Sequence, residues 1–192
     1  MHSPRPKPVM LFIERNDSVR QAECRACGHW PLPPEAGGFY DKGVMDSSDP
    51  FMLAAVEEAR QGRAEGGIPI GSVLVLEGKI IGRGHNRRVQ EGSVIHHAEM
   101  NCLENAGRRP ASTYRSCTIY STLSPCPMCS GAILLYGIPK VVIGENKTFQ
   151  GPEEYVRSQG VEVEIRQDAD CIKLMEDFIA EEPELWNEDI GE

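Results

Sequence analysis

The chain lacks any uninterrupted apolar run near the roughly 18 residues that a membrane-spanning helix requires, so no membrane partner is expected. Its first segment has no apolar stretch ending in a small-residue cleavage site, which argues against secretion. Glu14, Asp17 and Glu23 interrupt the basic residues there, which argues against a mitochondrial address as well. Basic charge is scarce, with 20 Lys and Arg against 29 Asp and Glu and a formal net charge of −9. A surface that tracks phosphate backbones carries a basic footprint, and an acidic excess repels them at long range, so no nucleic-acid partner is expected. Cysteine is modest in number and odd in count, at seven. A reducing compartment, the cytoplasm and by extension the nucleus, suits unpaired thiols better than a disulfide framework does. No internal repeat is visible.

What is present fits one soluble globular domain with a sizeable core: 192 residues, 40% of them hydrophobic and 26% charged. Residues 1–45 stand apart. Pro4, Pro6, Pro8, Pro31, Pro33, Pro34 and the pair Gly37-Gly38 break regular structure, and the segment reads as a disordered or loosely attached extension. Within it Cys24, Cys27 and His29 offer three metal donors where a structural zinc site needs four, and they read as a coincidental cluster. The globular domain is expected over residues 46–192. Asp49 is suited to cap a helix whose first residue is Pro50. Two short strands follow at Ser72–Leu76 and Ile80–Asn86, joined by a tight turn at Glu77-Gly78-Lys79. Helices are expected from about His97 to Gly107, over Pro127–Tyr136, over Glu153–Ser158 and over Asp168–Glu181. Strands are expected over Thr118–Ser121, Val141–Ile143 and Val161–Ile165. Strands and helices mixed in this way imply a layered α/β fold. Cys102, Cys117 and Cys171 lie in apolar surroundings and read as core packing. The acidic run from Glu176 to Glu192 reads mostly as a solvated helix face and tail.

The chemistry lies in His97-Ala98-Glu99 and, about thirty residues on, Pro125-Cys126-Pro127-Met128-Cys129. Together they form the H-x-E…P-C-x-x-C signature known from zinc-dependent nucleobase deaminases. One imidazole and two thiolates are three ligands for Zn²⁺, which leaves the fourth tetrahedral position open to water. Either half alone is weak, because a lone C-x-x-C also fits a redox pair. Cys126 and Cys129 are three apart around an expected helix start, so both sulfurs can face one point, and the partial positive charge of that end favours thiolates. Glu99 stands beside the ligands and is free to carry protons.

The wider pattern resembles the cytidine/deoxycytidylate deaminase superfamily. The residues that carry the likeness are Gly84-His85-Asn86, His97-Ala98-Glu99 and Ser121 to Ala132. Within that superfamily the chain is most similar to fungal-type cytosine deaminases. That likeness rests on Gly66 to Gly71, on Gly144-Glu145-Asn146 with Phe149, and on the tail Trp186 to Glu192. The resemblance covers roughly residues 49–192. It implies a three-layer α/β/α sandwich around a five-stranded mixed sheet, one Zn²⁺ per subunit, a homodimer, and hydrolysis of free cytosine, and of 5-fluorocytosine, to the uracil and ammonia in pyrimidine salvage. It implies His97, Cys126 and Cys129 as zinc ligands and Glu99 as the proton shuttle. It also implies a substrate site made of Asn86, Asp189, Ser124, the backbone near Ala98, and the walls Ile70, Leu123, Phe149 and Trp186. An Asn offers both a donor and an acceptor to a ring that carries both, and a carboxylate accepts from an amine. Trp186, so near the chain end, reads as a lid over the base rather than as core. The chain departs from the fungal pattern at Val89, where an aromatic residue is expected and a smaller one is expected to loosen the pocket. It departs also at His96, and at Ala98 where Gly is expected. Ala98 and the Pro-Cys-x-Met-Cys pattern are shared with tRNA adenosine deaminases, and a catalytically silent deaminase-fold protein is the remaining rival.

Overall fold

The computed structural model describes residues 49–191. The expectations for residues 1–45, including Cys24, Cys27 and His29, lie outside the described residues. Helix α1 (Pro50–Ala64) begins at Asp49, whose carboxylate accepts from the Phe51 amide at 2.9 Å. Strands β1 (Gly71–Leu76) and β2 (Lys79–His85) form a hairpin whose turn places Glu77 and Gly78 at positive φ. A short helix α2 (Arg88–Glu91) and a longer α3 (Ala98–Ala106) follow, then α4 (Ala111–Tyr114), β3 (Cys117–Leu123) and α5 (Pro127–Tyr136). The remainder is β4 (Lys140–Glu145), α6 (Glu153–Ser158), β5 (Glu162–Ile165), α7 (Ala169–Glu181) and α8 (Pro183–Ile190).

The five strands lie in the order β2-β1-β3-β4-β5. β1 is antiparallel to both β2 and β3, whereas β3, β4 and β5 run parallel. Alternation along the strands sends successive side chains to opposite faces. Val73, Val75, Tyr120 and Val142 pack with α1 and with Cys171 of α7. Leu74, Ile119, Val141 and Ile143 pack instead with Cys102 and Leu103 of α3 and Ile133 of α5. The expected three-layer α/β/α sandwich around a five-stranded mixed sheet is therefore the fold. Cys102, Cys117 and Cys171 are buried in it. Two alternate glycines set the approach of α3 to β2. A Cβ on Gly82 or Gly84 would meet the Cys102 carbonyl oxygen at 2.6 Å or the Cys102 amide nitrogen at 2.4 Å. Their bare faces let α3 lie directly on β2, so its first residues reach the end of the sheet.

α8 was not anticipated as a helix. Its start has Pro183 in the first turn and its end has Gly191 in the left-handed conformation, φ 81°. It packs Trp186, 5% exposed, into a third cluster with Ile68, Ile70, Leu123, Met175 and Phe178. Trp186 is thus core and cavity wall at once, because α7 turns the chain back across the sheet end and gives the ring a place to bury. The exposure of Glu184 and Glu188 agrees with a solvated acidic face.

Candidate active site

Two helix starts converge at the end of the sheet. His97 is the N-cap of α3 and Cys126 the N-cap of α5, both with extended backbone, and neither side chain caps its own helix. Their carbonyls already begin the helices, accepting from Asn101 at 2.9 Å and Ser130 at 2.8 Å. The imidazole and the thiol are left free to turn toward each other and toward Cys129, at the third position of α5. The donor atoms of His97, Cys126 and Cys129 all lie within 4.8 Å of one another. Cys126 Sγ and His97 Nδ1 are 3.5 Å apart. Tetrahedral zinc with ordinary Zn–S and Zn–N bonds requires about 3.5 Å between such a pair, so the donor set fits the ion. Hydrogen bonding from the Cys129 thiol, followed by that with His97, draws the Cys126 thiol down to about 4, so a thiolate is available at neutral pH.

Glu99, 3% exposed, lies one helical step inside α3, where its carboxylate accepts from Ser121 Oγ at 2.9 Å. Burial, and then the neighbouring Cys126 charge, raise its pKa above the ordinary carboxylate value. An acid held higher is better matched to passing protons near neutrality.

These groups open into a cavity of about 330 Å³, at the small end of the range for ligand sites. Ile70, Ala98, Leu123, Phe149 and Trp186 form its walls, and Phe149 meets Trp186 edge-on with ring centroids 6.2 Å apart. Asp189 faces the cavity from α8. Asn86 and Cys129 do not line it. Cys129 is fully buried. Asn86 is fully buried, donating from Nδ2 to both Asp189 oxygens at 3.3 Å and accepting from the Arg88 amide at 3.0 Å. Its direct contact is thus with Asp189. Ser124 lines the cavity, but its hydroxyl donates to Glu153 at 2.8 Å and accepts from the Gly151 amide at 3.1 Å. That ties the ligand-bearing loop to the loop that carries Phe149.

Val89 does not fit its expected place as a pocket residue. It is 41% exposed and outside the cavity lining, because α2 turns it to the surface. His96 points its Nδ1 to Glu91 at 2.6 Å and takes no part in the donor cluster. Sequence reasoning missed Arg88, which lines the cavity and donates to Asp189 at 2.6 Å and to Glu188 at 2.8 Å. Nothing local marked it, since both partners lie about a hundred residues further on.

The fold and the donor set together define a zinc-dependent deaminase of the α/β/α type. The comparisons with known proteins narrow the class. Residues 45–145 match the family described as "Cytidine and deoxycytidylate deaminase zinc-binding region". The chain is 55% identical over 142 residues to a cytosine deaminase of Candida albicans, covering 73% of this chain and 95% of that protein. It is 43% identical over 102 residues to a tRNA-specific adenosine deaminase of Bacillus subtilis, covering 52% of this chain and 63% of that protein. Among solved structures, one from a study of A-to-I editing by tRNA:A34 deaminases superposes with a TM-score of 0.55 at 28% identity. It covers 65% of this chain and 97% of that one. The chain belongs to the cytidine and deoxycytidylate deaminase family and is a zinc-dependent hydrolytic deaminase.

Proposed function

We propose that the chain converts free cytosine to uracil and ammonia, and accepts 5-fluorocytosine as well. The observation that carries this reading is the 55% identity to a cytosine deaminase over 95% of its length. When bound by His97, Cys126 and Cys129, zinc supplies Lewis acidity that brings the ionisation of a water near neutral pH. Glu99 takes one proton from the attacking water and passes it to the ring nitrogen, then takes the second proton from the added hydroxyl and gives it to the amine, which leaves as ammonia as the C–N bond breaks and the carbonyl forms. Ser121 holds the Glu99 carboxylate in place for each transfer. Asp189, with Asn86 behind it, accepts from the exocyclic amine and so favours an amine over a carbonyl at that edge. Phe149 and Trp186 pack on the flat ring, and the backbone at Ala98, the first residue of α3, offers an N–H with no acceptor in its own helix.

The remaining parts of the reading are a cytoplasmic homodimer that binds no nucleic acid. Val94 and Leu135 are 78% and 79% exposed, apolar surface that a second copy would cover. The net charge of −9 and the carboxylates of Glu188 and Asp189 at the cavity oppose a phosphate backbone. The rival reading, a tRNA adenosine deaminase, draws on the 43% identity to the Bacillus subtilis enzyme. One experiment separates them. Zinc-loaded protein of measured oligomeric state is incubated with cytosine, cytidine, adenine, guanine and tRNA. Ammonia and uracil from cytosine alone support the proposal, and inosine in tRNA without turnover of cytosine rejects it.

A further inference from the structure

α8 is the last element of the fold, yet it carries Trp186 and Asp189 to the cavity. Apolar packing holds one side of it. On the other side, among the described residues, every side-chain hydrogen bond from α8 to the rest of the fold goes to Asn86 or Arg88. The three residues close a ring. Asn86 Oδ1 accepts from the Arg88 backbone amide, Asn86 Nδ2 donates to Asp189, and Arg88 Nη1 donates to the same carboxylate. Arg88 Nη2 reaches Glu188, so one guanidinium grips two consecutive residues of α8. Its side chain is only 15% exposed, and that of Asp189 is 3% exposed. A charged pair so far from water is strongly orienting, and removing one partner leaves the other buried alone. Arg88 Nε is buried with no protein acceptor. The side chain is therefore placed to satisfy the two carboxylates and not its own third donor.

We propose that Arg88 is the positioning residue that sets substrate recognition: it holds α8 closed and aims the Asp189 carboxylate at the amine of the pyrimidine. Arg88 acts through Asp189 and touches neither the metal ligands nor Glu99. The substrate part of this inference rests on the cytosine reading above. Loss of Arg88 should therefore weaken binding of the base far more than it slows the chemical step.

The test is a double-mutant cycle on the zinc-loaded full chain with R88Q, D189N and the two combined, reading KM and kcat for cytosine. R88Q is expected to raise KM about 10–100-fold while kcat changes less than about fivefold. In the D189N background the same substitution is expected to add less than about threefold, because its target is already gone. R88K, which keeps one contact to a carboxylate but not the fork, should recover part of the loss. A second readout is backbone amide exchange over residues 186–190, which should speed up in R88Q and not over α3 or α5. Additive effects in the cycle, an unchanged KM, or unchanged exchange in α8 would each overturn the proposal. If the unmodified protein turns over no cytosine, the substrate reading falls, and the exchange measurement alone then judges whether Arg88 closes α8.

Discussion

On the metal side of the cavity, His97, Glu99, Cys126 and Cys129 come from two neighbouring helix starts, and the two ligands that touch are 29 positions apart in the chain. On the facing side, Asn86 and Arg88 meet Asp189 across 103 and 101 positions. The metal side is anchored within regular elements. Two ligands are helix N-caps and the third lies in the first turn of α5, the α3 approach to β2 places the helix, and Ser121 in the central sheet holds Glu99. The facing side is an assembly of surface turn and terminal helix, closed by an apolar ring below and a charged fork above. On the proposed reading, chemistry is built from local geometry and recognition from a long-range closure. The two sides should fail in different ways when they are cut.

The sharpest cut is Glu99→Gln. The side chain keeps its shape and its hydrogen bond from Ser121 but can no longer carry a proton. Turnover is expected to drop by about 10³–10⁴, with bound zinc and KM nearly unchanged. Zinc analysis and steady-state rates on the same sample check it. Retention of more than a tenth of the rate would mean that the proton passes elsewhere, and the metal side would lose its claim to the chemistry.

Trp186→Ala cuts the facing side. The ring is 5% exposed and stands edge-on to Phe149. Removing it should cost about 3 kcal/mol of stability, the low end for a buried aromatic, and raise KM at least tenfold. Trp186→Leu, which refills much of the volume, should recover most of the stability and less of the affinity. Urea unfolding and KM determinations on both variants separate the two roles. A fall in kcat at constant KM would contradict the division between the walls.

The same division explains what was legible in the sequence. The donor cluster is compact in the chain, and its residue types admit few alternative uses, so His97, Cys126 and Cys129 could be grouped before any coordinates. The helix from Pro50 and the strands of alternating or unbroken apolar character were legible because capping and periodicity are local. α8 carried readable signals in Pro183 and Gly191, but its acidic composition drew attention to solvent and away from the buried Trp186 face. Arg88 was invisible, since an arginine among polar residues is ordinarily solvated and its value here comes only from partners at the chain end. Val89 misled for the opposite reason. Its place near Asn86 in sequence pointed to the pocket, and one turn of α2 carries it away. Ser124 was legible by position and not by role, because Gly151 and Glu153, which occupy its hydroxyl, come from the loop before α6 and from the start of α6.

The smallest expected effect lies beneath the recognition side. His85 immediately precedes Asn86, and its ring is held between Glu58 at 3.2 Å and Glu65 at 3.1 Å, with Arg87 at 3.2 Å from the second nitrogen. Its side chain is 5% exposed. Burial pulls its pKa down, but the hydrogen bond to Glu58, larger than the burial effect, and then the one to Glu65, raise it above the ordinary histidine value. A group whose folded pKa lies above its unfolded one stabilises the fold fully below the unfolded value, near 6.5, and loses that contribution as pH rises through the folded value. Stability of the zinc-loaded protein should therefore decline on the alkaline side of about pH 6.5. Glu58→Gln removes the principal partner and should lower stability at pH 6 by on the order of 1 kcal/mol, or about 2–4 °C in Tm, with the two melting curves drawing together toward pH 9. Parallel pH profiles for the two proteins would show that the imidazolium contributes nothing. The anchoring of Asn86, and with it the closure over the cavity, would then rest on the Arg88 fork and the apolar ring alone.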